Sequence, residues 1–335
     1  MAISKGKVAK PTAVVKPKKD TKRTTTTTKN HRWQPFSQRI ANLRIDPIRR
    51  KRAQVDSEAL SEDTDTYFGR SLAEWRDLNL SETFATFAKE VAPLCDNLPS
   101  VLYNEEKLMD TLIEYIAKAD ALAMEPLLSL LSRFAHDLDT RFEKHFARAV
   151  STVASVASKH SDPAVVEWSF TCLAWLFKYL SRLLTPDLRP VYDLMSIYMG
   201  KESQKPFIVR FAAESMSFLV RKAATLYERD PQALDRIISH ILEDCVASES
   251  VKSAELHRQG VMTLLTEAVK GIQHGIHTNG LAVVKSLVKL VRQSPSRSSI
   301  HIAKGSLTSI IHYTTPETFQ PVAKVIVDEI GRAHV

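Results

Sequence analysis

Glycine is scarce in this sequence, 9 of 335 residues, while 44% of residues are apolar. That balance favours helices around a real core. No stretch alternates polar and apolar residues in the manner of a strand. No run of 18 uncharged apolar residues occurs, so no segment is expected to span a membrane. The opening residues MAISKGKVAK lack the apolar stretch of a secretory signal. Cysteine is limited to Cys95, Cys172 and Cys245, an odd and widely spaced set inside apolar helical patterns. These thiols are expected to be reduced and buried, as in an intracellular protein.

Chemistry-bearing motifs are also missing. There is no Walker A sequence, no GxGxxG and no GxSxG. His274 and His277 are three apart, but no cysteine or acidic cluster joins them into a zinc set. His136, His145 and His160 read as surface or boundary residues. Asp137 and Asp139 suit helix caps better than acid–base work. Trp168 and Trp175, one heptad apart, suit a core better than a ligand cage. No enzyme, cofactor, metal site or small-molecule substrate is expected.

Charge is what the chain has in excess, and it is unevenly placed. Residues 1–52 hold 16 Lys or Arg against 2 acids, a net of +14, while the other 283 hold 30 against 36, a net of −6. Residues 1–30 are rich in Lys and Thr and poor in apolar side chains, with Thr24 to Thr28 consecutive. Such a segment buries too little to offset its ordering entropy and is expected to be disordered. Lys16, Lys18, Lys19, Lys22 and Arg23 form a basic cluster of the nuclear-import kind, a candidate for an import receptor. Residues 31–70 are expected to form a docking segment and an acidic linker. Trp33, Phe36, Ile40, Leu43 and Ile45 are apolar anchors in basic surroundings, and Arg49, Arg50, Lys51 and Arg52 follow. Mixed aromatics and arginines can bind RNA by phosphate neutralisation and stacking. They can equally dock as a peptide on a partner protein, and a ribonucleoprotein surface would accommodate both.

From Ser71 to Glu329 the spacing predicts helices in succession. The clearest is KPFIVRFAAESMSFLVRKAA, Lys205 to Ala224. Val209, Ala212, Ala213, Met216, Val220 and Ala223 share one face, Phe207, Phe211 and Phe218 form a second apolar strip, and Arg210, Glu214, Ser217 and Arg221 leave a narrow polar face. A helix apolar on two sides needs partners on two sides. Shifted back by 43 residues, Pro163, Val166, Trp168, Leu173 and Leu176 fall on Pro206, Val209, Phe211, Met216 and Leu219. Shifted forward by 91, Ile300, Ala303 and Leu307 fall on Val209, Ala212 and Met216. A period in the low-to-mid forties with two helices per unit is that of HEAT and armadillo repeats. The fold expected is therefore all-α, a helical-repeat solenoid behind a basic tail. The repeat core is expected at Val166, Trp168, Leu173, Leu176, Val209, Ala212, Met216, Leu219, Ile300 and Leu307, with the register between 226 and 275 open.

Three segments carry a closer likeness. WQPFSQRIANLRIDPIRR (Trp33 to Arg50), SEDTDTYFGRSLAEWRDLNLSETFATFAKEV (Ser61 to Val91) and EWSFTCLAWLFKYLSRLLTPDLRPVYDLM (Glu167 to Met195) resemble the N-terminal region of the U3 small nucleolar RNA-associated protein 20 family, also called down-regulated in metastasis. The likeness runs from Trp33 to Glu329. It implies a very long HEAT/armadillo solenoid, nucleolar, acting as a scaffold and not as an enzyme of the small-subunit processome, which cleaves and folds precursor RNA on the way to 18S ribosomal RNA. The implied partners are processome proteins and the pre-ribosomal RNA–U3 particle. The last six residues, IGRAHV, depart from the family pattern and resemble one reading frame of a common sequencing adapter. The natural chain is accordingly expected to continue past Glu329. Two other readings suit a helical array: a nuclear transport receptor or adaptor, which needs no basic extension of its own, and a scaffold regulating an enzyme.

Overall fold

The computed structural model describes residues 34–45, 65–201, 205–226, 229–247, 255–269, 276–293, 296–313 and 316–331. Among them there is no strand. The helices in chain order are α1 (Phe36–Asn42), α2 (Tyr67–Leu78), α3 (Glu82–Val91), α4 (Leu98–Tyr103), α5 (Glu105–Lys118), α6 (Ala121–Leu138), α7 (Glu143–Lys159), α8 (Pro163–Leu184), α9 (Arg189–Ser196), α10 (Pro206–Ala224), α11 (Pro231–Ala247), α12 (Glu255–Val269), α13 (Ile276–Gln293), α14 (Arg297–Tyr313) and α15 (Pro316–Gly331). None of them is long and apolar enough to cross a membrane.

The helices stack in two layers. The first runs α2, α6, α8, α10, α12 and α14, each against the next, and the second runs α3, α5, α7, α9, α11, α13 and α15. From α6 onward the chain alternates strictly between layers, giving the helical hairpins of a HEAT/armadillo-like solenoid. First-layer helices begin at 121, 163, 206, 255 and 297, steps of 42, 43, 49 and 42 residues. The long step lies before α12, which is why a shift by one fixed period loses its register there.

Local chemistry sets the starts. Thr66, Ser81, Asn97, Asp120 and Asp162 accept hydrogen bonds from the first-turn N–H groups of α2, α3, α4, α6 and α8. Proline opens α8 and α10, where its missing N–H is no loss. The array begins at Tyr67, four residues earlier than expected, because Thr66 caps α2 and Phe68 is fully buried. After α9 the backbone passes through a π-type turn, Ile197–Lys201, in which Gly200 has φ 98°. The turn lies against α12 so closely that a Cβ at Gly200 would stand 2.6 Å from the His257 nitrogen. Only glycine suits both the angle and the approach.

The core is continuous across the described residues. Val166, Leu173, Leu176, Val209, Ala212, Met216 and Leu219 are all 4% exposed or less. Trp168 and Leu307 lie half-buried at its edge. Ile300 is a correction: it is 49% exposed. The buried stripe of α14 is Ser299, Ala303, Ser306 and Ile310, so it runs one residue ahead at its start. Ser306 there meets the Thr266 hydroxyl of α12 where a larger side chain would hold the helices apart. His136 and His145 are also corrections, at 4% and 1% exposed. Each imidazole is used as a flat ring in an aromatic pack: His136 lies 3.9 Å from Tyr67 and stacks on Tyr179 at 5.0 Å, and His145 borders Phe134 and Phe142.

Candidate partner-binding surface

The segment expected to dock on another molecule is docked on this one. Helix α1 lies on the first layer, across the seam between α8 and α10. Phe36 is 1% exposed and sits among Phe211 at 5.5 Å, Phe218 at 5.6 Å and Phe177 at 6.4 Å. Ile40, Leu43 and Ile45, half-buried, pack against the same core. Side chains of the array read both ends of the helix. The Phe36 N–H, an orphan donor at the start of α1, donates to Glu214 Oε2 at 2.7 Å. Lys178 Nζ donates to the carbonyls of Ile40 and Leu43 at 2.7 and 2.8 Å. An anion at the N-terminus and a cation at the C-terminus both match the helix dipole. Arg39, 4% exposed, pairs with Glu167 at 2.5 Å.

The narrow polar face of α10 is not turned to solvent at Glu214 and Ser217. Both are buried, at 8% and 0% exposed, because α1 covers one side of α10 and α12 covers the other. Arg210 remains exposed and pairs with Glu214 at 2.8 Å. Arg221 donates to the Glu267 carbonyl of α12, and burial lowers its pKa despite two nearby acids. Trp33 and the basic residues Lys16, Lys18, Lys19, Lys22, Arg23, Arg49, Arg50, Lys51 and Arg52 lie outside the described residues.

Two grooves flank α1 on the same layer. One, of about 430 Å³, is walled by α10, α12 and α14 and includes Arg210, Glu214, Gln259, Glu267 and His301. The other, of about 280 Å³, is walled by α2, α6, α8 and the end of the α1 segment; it includes Arg44, Trp75, Arg133, Trp168 and Trp175. Heptad spacing assigns Trp168 and Trp175 to the core. Trp175 is buried and stacks on Tyr179 at 4.7 Å, whereas Trp168 keeps part of its surface. Trp75 and Arg44 escape a reading of the sequence, since nothing local links them to α8.

Carboxylates elsewhere brace helices. Asp137 of α6 accepts from the N–H groups of Tyr67 and Phe68 at 3.0 and 2.8 Å, a cap on α2 supplied from a distant helix. Glu105, Glu106 and His145 bring possible metal-ligand atoms within 4.8 Å of one another. Lys144 already bridges Glu105 and Glu106, and Arg141 donates to Glu105 at 3.0 Å. Burial raises the Glu105 pKa, but these two cations outweigh it and leave the carboxyl below its ordinary value. Burial also holds the His145 pKa down. The group acts as an ion-pair network tying α5 to α7.

No protein-family model matches the chain. It is 32% identical over 302 residues to the U3 small nucleolar RNA-associated protein 20 of Schizosaccharomyces pombe, covering 90% of this chain and 12% of that protein. It is 30% identical over 315 residues to the protein of the same name from Saccharomyces cerevisiae, covering 92% of this chain and again 12% of the relative. The chain thus spans about an eighth of the length of the curated relatives it matches.

Proposed function

Because this chain belongs to the U3 small nucleolar RNA-associated protein 20 family, we propose that it serves in ribosome biogenesis as part of a non-catalytic scaffold of the small-subunit processome. In this reading it works in the nucleolus, in the processing of the precursor to the small-subunit RNA. Its partners are processome proteins and the pre-ribosomal RNA–U3 particle. An import receptor engages Lys16, Lys18, Lys19, Lys22 and Arg23, and Arg49, Arg50, Lys51 and Arg52 add RNA contacts.

The observation that carries the reading is identity of 30% or more to two proteins of that name over nine-tenths of the chain. The architecture supports it. A two-layer helical array offers long surfaces built from many short units, which suits holding partners in place. Its polar clusters are spent on capping and ion pairs between helices, as at Asp137, Glu214 and Glu105. Affinity capture of the natural full-length protein from growing cells tests the proposal. U3 RNA and the long ribosomal precursor should be recovered together; recovery of neither would reject it.

A further inference from the structure

We propose that the groove formed by Arg44, Trp75, Arg133, Trp168 and Trp175 binds a segment of single-stranded RNA, with a base against Trp75 and Trp168 and a phosphate on Arg44. The assignment rests on the reading that this chain meets RNA, and it says where on the fold that contact is made.

Three of the chain's 4 tryptophans line this groove, Trp75 from α2 and Trp168 and Trp175 from α8, two helices far apart in sequence. Tryptophan offers a large flat apolar face with a polar N–H, and such side chains are enriched where one molecule meets another. Here Trp75 and Trp168 stay half-buried against the core and present the remainder to the groove. Arg44, exposed, and Arg133, half-buried, line the same wall. Aromatic faces beside guanidinium groups are the combination that holds unpaired bases and their backbone. Ser129 adds a hydroxyl at the groove, and Thr171, whose hydroxyl donates to the Glu167 carbonyl at 2.9 Å, can still accept from a base edge.

The second groove serves as an internal comparison. It carries Glu214 and Glu267 with Arg210 and His301, and no aromatic residue of the Phe, Tyr or Trp kind among its lining. A polyanion has little to stack on there and two acids to avoid, against one, Glu125, at the exposed edge of the tryptophan groove. The two sides of α1 are therefore chemically unlike. The tryptophan side is also where the chain leaves α1 through Arg44 and Ile45, shortly before Arg49 to Arg52 in sequence. Single strands are preferred because in a duplex both faces of each base are already stacked.

The test uses the intact 335-residue chain. The probe is a single-stranded RNA of about ten nucleotides carrying photoreactive uridines, a length typical of such sites. Crosslinked peptides containing Trp75 or Trp168 are expected, with weaker capture of the same sequence as a duplex. Trp75→Leu with Trp168→Leu should weaken binding about tenfold at raised salt, where stacking persists and phosphate contacts fade. Arg44→Gln, at an exposed position, should weaken it mainly at low salt. If the tryptophan variant melts early, the crosslink map of the unaltered chain and the Arg44→Gln titration still decide. Crosslinks confined to residues 1–33 and 46–64, with unchanged affinity of both variants, would overturn the groove and leave the basic segments as the RNA contact. Absence of any binding by the intact chain would overturn the groove and the RNA reading together, leaving the surface to a protein ligand.

Discussion

At the scale of the residue, the apolar positions follow from spacing and the polar ones do not. Met216 sits where an i, i+4, i+7 stripe puts it, and it is fully buried. Met216→Asp is expected to destabilise the chain by about 3 kcal/mol or more, since a buried unpaired carboxylate has no compensation. Urea unfolding would show it as a lowered midpoint; a change within about 0.5 kcal/mol, as for surface substitutions, would contradict the assignment. Glu214 belongs to the same helix, and its role was illegible because its partner, the Phe36 N–H, lies 178 residues away. The histidines misled for a related reason: hydropathy marks imidazole as polar, while His136 is held by ring contacts. The cysteines give a second test. Burial pushes the thiols of Cys95 and Cys172 up to about 12. Neither should react with iodoacetamide at neutral pH until the chain unfolds, as peptide mass mapping would show. Rapid labelling of Cys172 in the native chain would place α8 outside the core.

At the scale of the element, helix existence and type were readable, and the long-range seating was not. Pro163 and Pro206 announce α8 and α10, and Ser81 announces α3. The sequence of α1 also announces an anchor, through Phe36, Ile40 and Leu43, but amphipathic spacing cannot say whether the matching surface is foreign or internal. The surface proves internal because Phe211 and Phe218 leave room for Phe36, and Lys178 and Glu214 stand at the two ends of the helix. Phe36→Ala should release α1 without unfolding the array. Hydrogen exchange would then rise across residues 36–43 and stay low in α8 and α10; protection retained in α1 would mean that its polar end contacts suffice. Capping supplies a pH-dependent prediction. Burial raises the Asp120 pKa, but the Ala123 N–H and the hydroxyls of Ser81 and Thr83 outweigh it and leave the carboxyl below its ordinary value. A lowered folded-state pKa contributes stability above the unfolded value and loses it as pH falls through the folded one. Asp120→Ala should therefore cost about 1 kcal/mol at neutral pH, as removal of a helix cap does. The gap to the unaltered chain should close as the solution is acidified through the carboxylate range. A gap that stays constant in acid would show that charge is not what Asp120 contributes.

At the scale of the whole molecule, the repeat period carried most of the architecture. The 43 residues from α8 to α10 and the 91 from α10 to α14 equal the sequence shifts, and only the split of that 91 at α12 escapes them. The division into a docking segment within 31–70 and an array from Ser71 was too sharp, because α1 packs on the array and Arg44 shares a groove with α2, α6 and α8. The charge partition still holds, +14 over residues 1–52 against −6 over the rest. It motivates a test of delivery. In a fusion of residues 1–52 to a reporter, replacing Lys18, Lys19, Lys22 and Arg23 with Ala should abolish nuclear accumulation; an unchanged distribution would leave Arg49 to Arg52 as the import signal. The same partition dictates how RNA binding responds to salt. Each phosphate neutralised on a single strand releases counterion, contributing about −0.7 to the slope of log affinity against log salt. Replacing Arg49, Arg50, Lys51 and Arg52 with Gln in the intact chain should therefore flatten that slope by about 0.7 for each phosphate no longer neutralised. The affinity remaining at high salt should change little, because stacking on Trp75 and Trp168 does not depend on those charges. The two kinds of substitution thus act on different coordinates of one titration. Arginine changes alter its slope and tryptophan changes alter its height. A slope unmoved by removing four cations would mean that the phosphates are met elsewhere on the molecule, and that the basic segment serves import alone.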